Sequence, residues 1–130
     1  MRPQSMSLRL ELFVRDMEAS IAFYCDILGF EVQRHEADYA SLRCGSVMLG
    51  LGPATKLPVS ARYFTQHKLQ TGPGVGVEIV LEVDDVHAVY TQVHATGYPM
   101  SEPLLVRPWG LTDFRVADPD GYYLRITSRQ

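Results

Sequence analysis

The chain has 130 residues, 46% of them hydrophobic and 21% charged, with a formal net charge of -3. This length and balance predict one globular domain with a full hydrophobic core. No basic surplus is present to neutralise phosphates or anionic lipid, which argues against nucleic acid or a membrane surface as a partner. The stretch up to Asp16 is rich in charge and lacks the apolar run of a signal peptide or membrane span, so the cytoplasm is the expected location.

The two cysteines predict no special chemistry. Cys25 and Cys44 lie far apart in the sequence and outside any Cys-x-x-Cys pair. A disulfide framework or a zinc ribbon needs more cysteines at closer spacing. We therefore expect both thiols to be packing residues.

The first third of the chain predicts a strand, a helix and three more strands. In residues 8–14 every second side chain is apolar, and Arg9, Glu11 and Phe13 form the other face, which is typical of a strand with one buried face and an unusual second one. Asp16 is placed to cap a helix that ends at Gly29. The predicted apolar stripe of this helix consists of Met17, Ile21, Tyr24 and Leu28. Short strand patterns follow at 30–35, 39–44 and 47–51.

A connector separates this unit from the rest of the chain. Residues 52–74 lose any period and include Pro53, Pro58, Gly72 and Pro73. Such a stretch is typical of a linker or a lid, here with a short helical or extended piece predicted at 61–69.

The same pattern then repeats. A strand at 75–83 precedes a cap at Asp84 or Asp85 and a helix that ends at Gly97. The thirteen positions from Asp16 to Gly29 recur from Asp84 to Gly97. The remaining predicted strands are 104–106, 111–116 and 122–127, the last two joined by the turn Asp118-Pro119-Asp120-Gly121.

Two such units predict an α+β fold. We expect a single domain over 1–130, with tandem β-α-β-β-β modules at about 7–51 and 75–128. Their curved mixed sheets surround a cleft, and the helices pack on the convex side. Strand alternation places these residues on the concave side: Arg9, Glu11, Phe13, Glu78, Val80, Glu82, Tyr123 and Arg125. Apolar walls with a few charges suit a small-molecule site, although an exposed polar face is the alternative.

Three motifs give the chain a family resemblance. They are the opening Leu12-x-Val14-x-Asp16 with Leu28-Gly29-Phe30, the middle Leu81-x-Val83-Asp84-Asp85, and the closing Pro108-Trp109-Gly110 with Asp118-Pro119-Asp120-Gly121. Their order and spacing resemble the vicinal oxygen chelate superfamily, which includes glyoxalase I, extradiol dioxygenases and bleomycin-resistance proteins. The resemblance implies paired modules, and often a dimer whose clefts are completed across subunits.

The resemblance also implies metal-ligand positions, which this chain does not fill. The expected ligands fall on Arg9, Glu78 and Arg125, and a further glutamate would fall near Gly50. Arginine has no lone pair to donate to a metal. We therefore predict no metal and no cofactor, and instead a cluster of Arg9, Glu78 and Arg125 with a net charge of +1 that favours an anionic group. The alternative is that both arginines have ordinary surface partners.

The remaining candidates lie outside the expected metal positions. Trp109 is predicted to stack on a ligand or to pack in the core, and Arg107 to bind a substrate carboxylate or to lie exposed in a loop. Glu78 is a weak catalytic candidate, and His67 is a candidate acid or base from the connector. The complete predicted ligand-binding set is Arg9, Glu11, Phe13, Glu78, Val80, Arg107, Trp109, Phe114, Tyr123 and Arg125.

Three functions fit these residues. The first is a metal-free, homodimeric protein that sequesters a small anionic or aromatic molecule, in the manner of bleomycin-resistance proteins. A second is a metal-dependent lyase, isomerase or dioxygenase that recruits a ligand such as His35 or His67. The third is a metal-free enzyme that uses arginine and glutamate side chains.

Overall fold

A computed structural model describes residues 4–56 and 76–129. The strands are β1 (Leu10–Val14), β2 (Glu31–Glu36), β3 (Tyr39–Cys44), β4 (Val47–Pro53), β5 (Glu78–Val83), β6 (Glu102–Val106), β7 (Thr112–Ala117) and β8 (Tyr123–Ser128). The α-helices are α1 (Met17–Ala22) and α2 (Val86–Ala95), and a 3-10 turn spans Ala54–Lys56. No helix in these two ranges is long and apolar enough to cross a membrane.

Each module forms its own four-stranded sheet. The order is β1-β4-β3-β2 in the N-terminal sheet and β5-β8-β7-β6 in the C-terminal sheet. In both sheets the first strand pairs in parallel with the last, and the other pairs are antiparallel. The predicted α+β fold of two β-α-β-β-β modules is confirmed.

Capping carboxylates determine where both helices begin. Asp16 has an extended backbone, and its carboxylate accepts a hydrogen bond from the N–H of Ala19 at 3.1 Å. Asp85, rather than Asp84, plays the same part for α2 and accepts from Ala88 at 3.0 Å. Each cap satisfies an N–H that has no partner within its helix.

The first helix departs from the predicted stripe. After α1 the helix widens into a π turn, Phe23–Ile27. The helical segment ends at Gly29, whose φ of 84° suits a residue without a side chain. The fully buried residues of this segment are Ser20, Phe23 and Tyr24, which share one face displaced from the predicted stripe. Of the predicted stripe, only Tyr24 is fully buried, and the others lie at the edge of the core.

One hydrophobic core spans both modules. Alternate residues of three strands belong to it, namely Leu12 and Val14 of β1, Ile79 and Leu81 of β5, and Leu124 and Ile126 of β8. The residues between them face the other way. Polar contacts join the modules at the turn that precedes β8. The hydroxyl of Tyr24 donates to Asp118 Oδ2 at 2.7 Å, and both the backbone N–H and Nε of Arg15 donate to Asp120 Oδ1.

The buried carboxylate of Asp118 has an altered acidity. Burial raises its pKa above the usual value, while hydrogen bonds from Tyr24 and from the backbone N–H groups of Tyr122 and Asp120 act in the opposite direction. Burial also raises the pKa of Tyr24 far above its usual range, with Asp118 as the next cause. The phenol therefore remains a donor across the physiological pH range.

All eight predicted strands are found, and each end lies within three residues of its prediction. The largest differences are the later starts of β1 and β5 and the extension of β4 to Pro53. The expected piece at 61–69, and with it His67, lies outside the described residues.

Candidate functional site

The side of the C-terminal sheet that faces away from α2 is a polar surface, here called the open face. The strand register determines which side chains of this face are neighbours. Glu78 lies opposite Tyr123, Val80 opposite Arg125, and Arg125 opposite Arg115. The other face packs in the core because alternate residues of each strand point to opposite sides. Four predicted ligand residues, Glu78, Val80, Tyr123 and Arg125, therefore lie on one surface.

The carboxylate of Glu78 lies between two guanidinium groups. Its Oε1 is 3.2 Å from Nε of Arg125, and its Oε2 is 3.8 Å from Nε of Arg115. Among the residues that the structure describes, neither Nε atom has a hydrogen-bond partner, although both are buried. Burial lowers the pKa of Arg115, whereas a hydrogen bond to Tyr123 and the negative charge of Glu78 raise it. The net effect is a raised pKa.

The predicted cluster is therefore wrong in one member. Arg9 pairs with Glu11 at 3.0 Å and not with Glu78. Its place beside Glu78 is taken by Arg115, because the register of β7 and β8 places Arg115 directly opposite Arg125. The expected surplus positive charge does not follow, since Arg115 also lies 3.8 Å from Glu102.

Arg107 binds the protein itself. Its Nη2 lies 2.6 Å from Glu102 and 2.7 Å from Asp113, and its Nε donates to Asp113 at 2.8 Å. The Asp113 side chain is fully buried, and these hydrogen bonds raise the pKa of Arg107, with the bond to Asp113 as the largest cause. The guanidinium that was predicted to bind a substrate carboxylate thus already holds two carboxylates of the chain.

This ion pair network anchors the turn that carries Trp109. The N–H of Gly110 donates to the carbonyl of Arg107 at 2.9 Å, and the N–H of Arg107 donates to the carbonyl of Leu111 at 2.8 Å. Gly110 has a φ of 93°, which a residue without Cβ adopts at little cost. Trp109 is 57% exposed at the tip of this turn, so the alternative of core packing is wrong.

A cavity of about 330 Å³ lies between this turn and the open face. Its lining residues are Val80, Glu82, Trp109, Leu111, Arg125 and Thr127. It combines an indole and two apolar side chains with charged groups, which is the composition of small-molecule sites. A second, apolar cavity of about 290 Å³ lies between β1, β4 and β5.

The other predicted residues lie on the N-terminal sheet. The Tyr39 hydroxyl donates to both carboxylate oxygens of Glu11, at 3.0 and 3.1 Å. Glu11 occupies the space above Gly50, where an added Cβ would overlap its carboxylate. Glu11, Arg9 and the half-buried Phe13 thus belong to a group separate from Glu78 and its arginines.

Two further expectations have definite outcomes. Phe114 was predicted to contact the ligand, but it is completely buried in the core, where its ring meets the edge of Tyr90 with centroids 5.3 Å apart. It lies there because it follows Asp113 on β7 and so points to the helix side. His35, named as a possible metal ligand for the second function, is exposed.

The residues at the implied metal positions do not fit a divalent cation. Glu78 is the one carboxylate among them, and both of its oxygens face guanidinium groups. Guanidinium groups repel a cation and donate no lone pair. In residues 4–56 and 76–129, no three His, Cys, Asp or Glu side chains are grouped to hold a metal ion.

Sequence reasoning missed Arg115, Glu102, Asp113 and Tyr39 as parts of these networks. A signal for Arg115 was present. The turn Asp118–Gly121 makes Ala117 pair with Tyr123, which places Arg115 opposite Arg125 two residues further on.

Comparison with known proteins assigns the chain to a family. The profile of the Glyoxalase/Bleomycin resistance protein/Dioxygenase superfamily matches residues 7–126, so the chain belongs to this superfamily. A bleomycin resistance protein from Geobacillus stearothermophilus is 31% identical over 113 residues, which are 82% of this chain and 84% of that protein. A probable lactoylglutathione lyase from Synechocystis is 29% identical over 116 residues, 87% of each.

A solved structure agrees in fold. The crystal structure of a lactoylglutathione lyase from Agrobacterium tumefaciens has a TM-score of 0.74 and 22% identity, with 98% of this chain and 96% of that one covered.

Proposed function

We propose that this protein binds a small aromatic molecule without a metal ion and sequesters it unchanged. The observation that carries the proposal is the mutual pairing of Glu78 with Arg125 and Arg115, beside the cavity at Trp109. A carboxylate held by two guanidinium groups is a poor metal ligand and a poor general base, because its charge is already compensated. An exposed indole on an anchored turn is a rigid stacking surface.

The similarity to bleomycin resistance proteins supports sequestration, and bleomycin is the natural first probe. We further propose that the protein acts as a cytoplasmic homodimer. Exposed apolar side chains next to the cavity between β1, β4 and β5 support self-association, notably Leu8 and Val77. Sedimentation equilibrium tests this part, and a monomer at micromolar concentration contradicts it.

The test of sequestration is a thermal melt with metal-free bleomycin. At a hundredfold excess over Kd, we expect about 2.7 kcal/mol of stabilisation, and the drug should be recovered unchanged. Trp109→Ala should abolish the shift, whereas Val106→Ala, which removes an exposed apolar side chain of β6, should leave it intact. A melt that bleomycin does not alter, or a stoichiometric divalent ion in protein purified without chelator, would refute the proposal.

A metal-dependent lyase is the second candidate, because one relative is a probable lactoylglutathione lyase. This function predicts turnover of lactoylglutathione after addition of Zn²⁺ or Ni²⁺, and its loss in Glu78→Gln. Turnover without metal that disappears in Glu78→Gln would instead support a metal-free enzyme.

A further inference from the structure

The charge balance around the open face indicates which sign of ligand the cavity accepts. The guanidinium groups on this face and its rim are those of Arg107, Arg115, Arg125 and Arg129. The carboxylates are those of Glu78, Glu82, Asp84, Glu102 and Asp113. Carboxylates therefore exceed guanidinium groups by one within the described ranges.

Every guanidinium group has a carboxylate partner. The ion pairs are Arg125–Glu78 at 3.2 Å, Arg129–Asp84 at 2.6 Å, Arg107–Glu102 at 2.6 Å, Arg107–Asp113 at 2.7 Å, Arg115–Glu78 at 3.8 Å and Arg115–Glu102 at 3.8 Å. Glu82 alone has no ion pair and no side-chain hydrogen bond to any residue of 4–56 or 76–129. The uncompensated charge of the face is thus located on one residue.

Arg129, on which Glu82 acts electrostatically, is already paired with Asp84. The pKa of Arg129 is raised first by its hydrogen bond to Asp84, and Glu82 contributes least. The other cation of the cavity lining, Arg125, is compensated by Glu78. An ion that enters the cavity therefore meets a net negative lining.

Glu82 and Trp109 line the same cavity, with Val80 and Leu111 as its apolar side chains. The face of an indole attracts cations through its quadrupole, and a nearby carboxylate adds direct attraction. We propose that the cavity selects a planar aromatic cation, whose ring stacks on Trp109 and whose charge lies next to Glu82. The inference rests on the proposed binding function, and it replaces the anionic group expected when Arg9 was placed beside Glu78.

Three probes of similar shape show how the charge of the ligand affects binding: benzamidine is cationic, benzamide is neutral and benzoate is anionic. Trp109 is the one tryptophan of the chain, so its indole N–H signal in a ¹⁵N correlation spectrum reports on this cavity directly. We expect benzamidine to bind about 5-fold to 30-fold more tightly than benzamide, from one cation–π contact and one exposed ion pair. Benzoate should bind most weakly.

Glu82→Gln should remove most of this preference without weakening benzamide. The matched control is Glu31→Gln, which removes the same charge from an exposed strand residue of the N-terminal sheet and should change nothing. A preference that survives in Glu82→Gln, or benzoate binding as tightly as benzamidine, overturns the inference while small-molecule binding at Trp109 still stands. If no probe shifts the indole signal, the inference fails, and the bleomycin melt decides separately whether the proposed function fails with it.

Quenching of Trp109 fluorescence by ions needs no bound probe. Because Glu82 repels anions, iodide quenching relative to acrylamide should rise about 1.5-fold to 2-fold in Glu82→Gln at moderate ionic strength. An unchanged ratio would show that the carboxylate does not act on the indole, and would overturn the inference.

Discussion

The hydrogen bond between Tyr24 and Asp118 joins the two modules, and its removal should destabilise the protein in a pH-dependent way. Both side chains are buried, and the phenol oxygen lies 2.7 Å from Asp118 Oδ2. Tyr24→Phe deletes the donor and leaves a buried carboxylate oxygen without it. A hydrogen bond to a charged group contributes about 1.5–3 kcal/mol, so we expect a loss of about 2–3 kcal/mol at pH 7.

The stability lost in Tyr24→Phe should be smaller at acidic pH. Burial raises the pKa of Asp118 in the folded protein, so its contribution to stability is full below the unfolded pKa and is lost as the pH rises through the folded pKa. The bond from Tyr24 partly offsets this rise, and its removal raises the folded pKa further. Once Asp118 is protonated, only a neutral hydrogen bond is missing, and the loss should fall to about 1 kcal/mol.

Urea unfolding at several pH values between 4 and 7 measures both effects, with an unchanged m-value as the check on two-state behaviour. Tyr90→Phe is the control, because Tyr90 packs on Phe114 by its ring and should cost less than about 0.5 kcal/mol. A Tyr24→Phe loss below about 0.5 kcal/mol, or one that does not change with pH, would refute the account of this junction.

Two more substitutions test the turns around the site. Arg107→Gln removes the main partner of buried Asp113 and should lower Tm by more than about 5 °C. The control Arg34→Gln, which breaks an exposed ion pair, should have little effect. Similar melting curves for the two variants would contradict the anchoring network. Gly121 has a φ of 91°, so Gly121→Ala should lower the free energy of unfolding in urea by about 1–2 kcal/mol. The control Gly52→Ala should be close to neutral, because no atom lies near its added Cβ. Equal effects would show that alanine is not strained at the left-handed turn.

The sequence predicted the local elements well, because their causes are local. Asp16 caps a helix through an N–H three residues away, and Gly29 ends it by its own backbone freedom. Strand alternation likewise separated Ile79 from Glu78 without knowledge of the partner strands. The π turn after α1 escaped prediction, since the 3.6-residue period that defines a stripe does not hold across it.

Which charges meet was decided by the tertiary structure alone. The sequence determined that Glu78 and Arg125 share a face with other charges, and that the expected metal positions carry arginine. Only the strand order β5-β8-β7-β6 brings Arg115 to Glu78 and leaves Arg9 with Glu11 on the other sheet. Ion pairs act over a few ångströms between groups far apart in the chain, so their pairing depends on register and strand order, which periodicity along one strand does not encode.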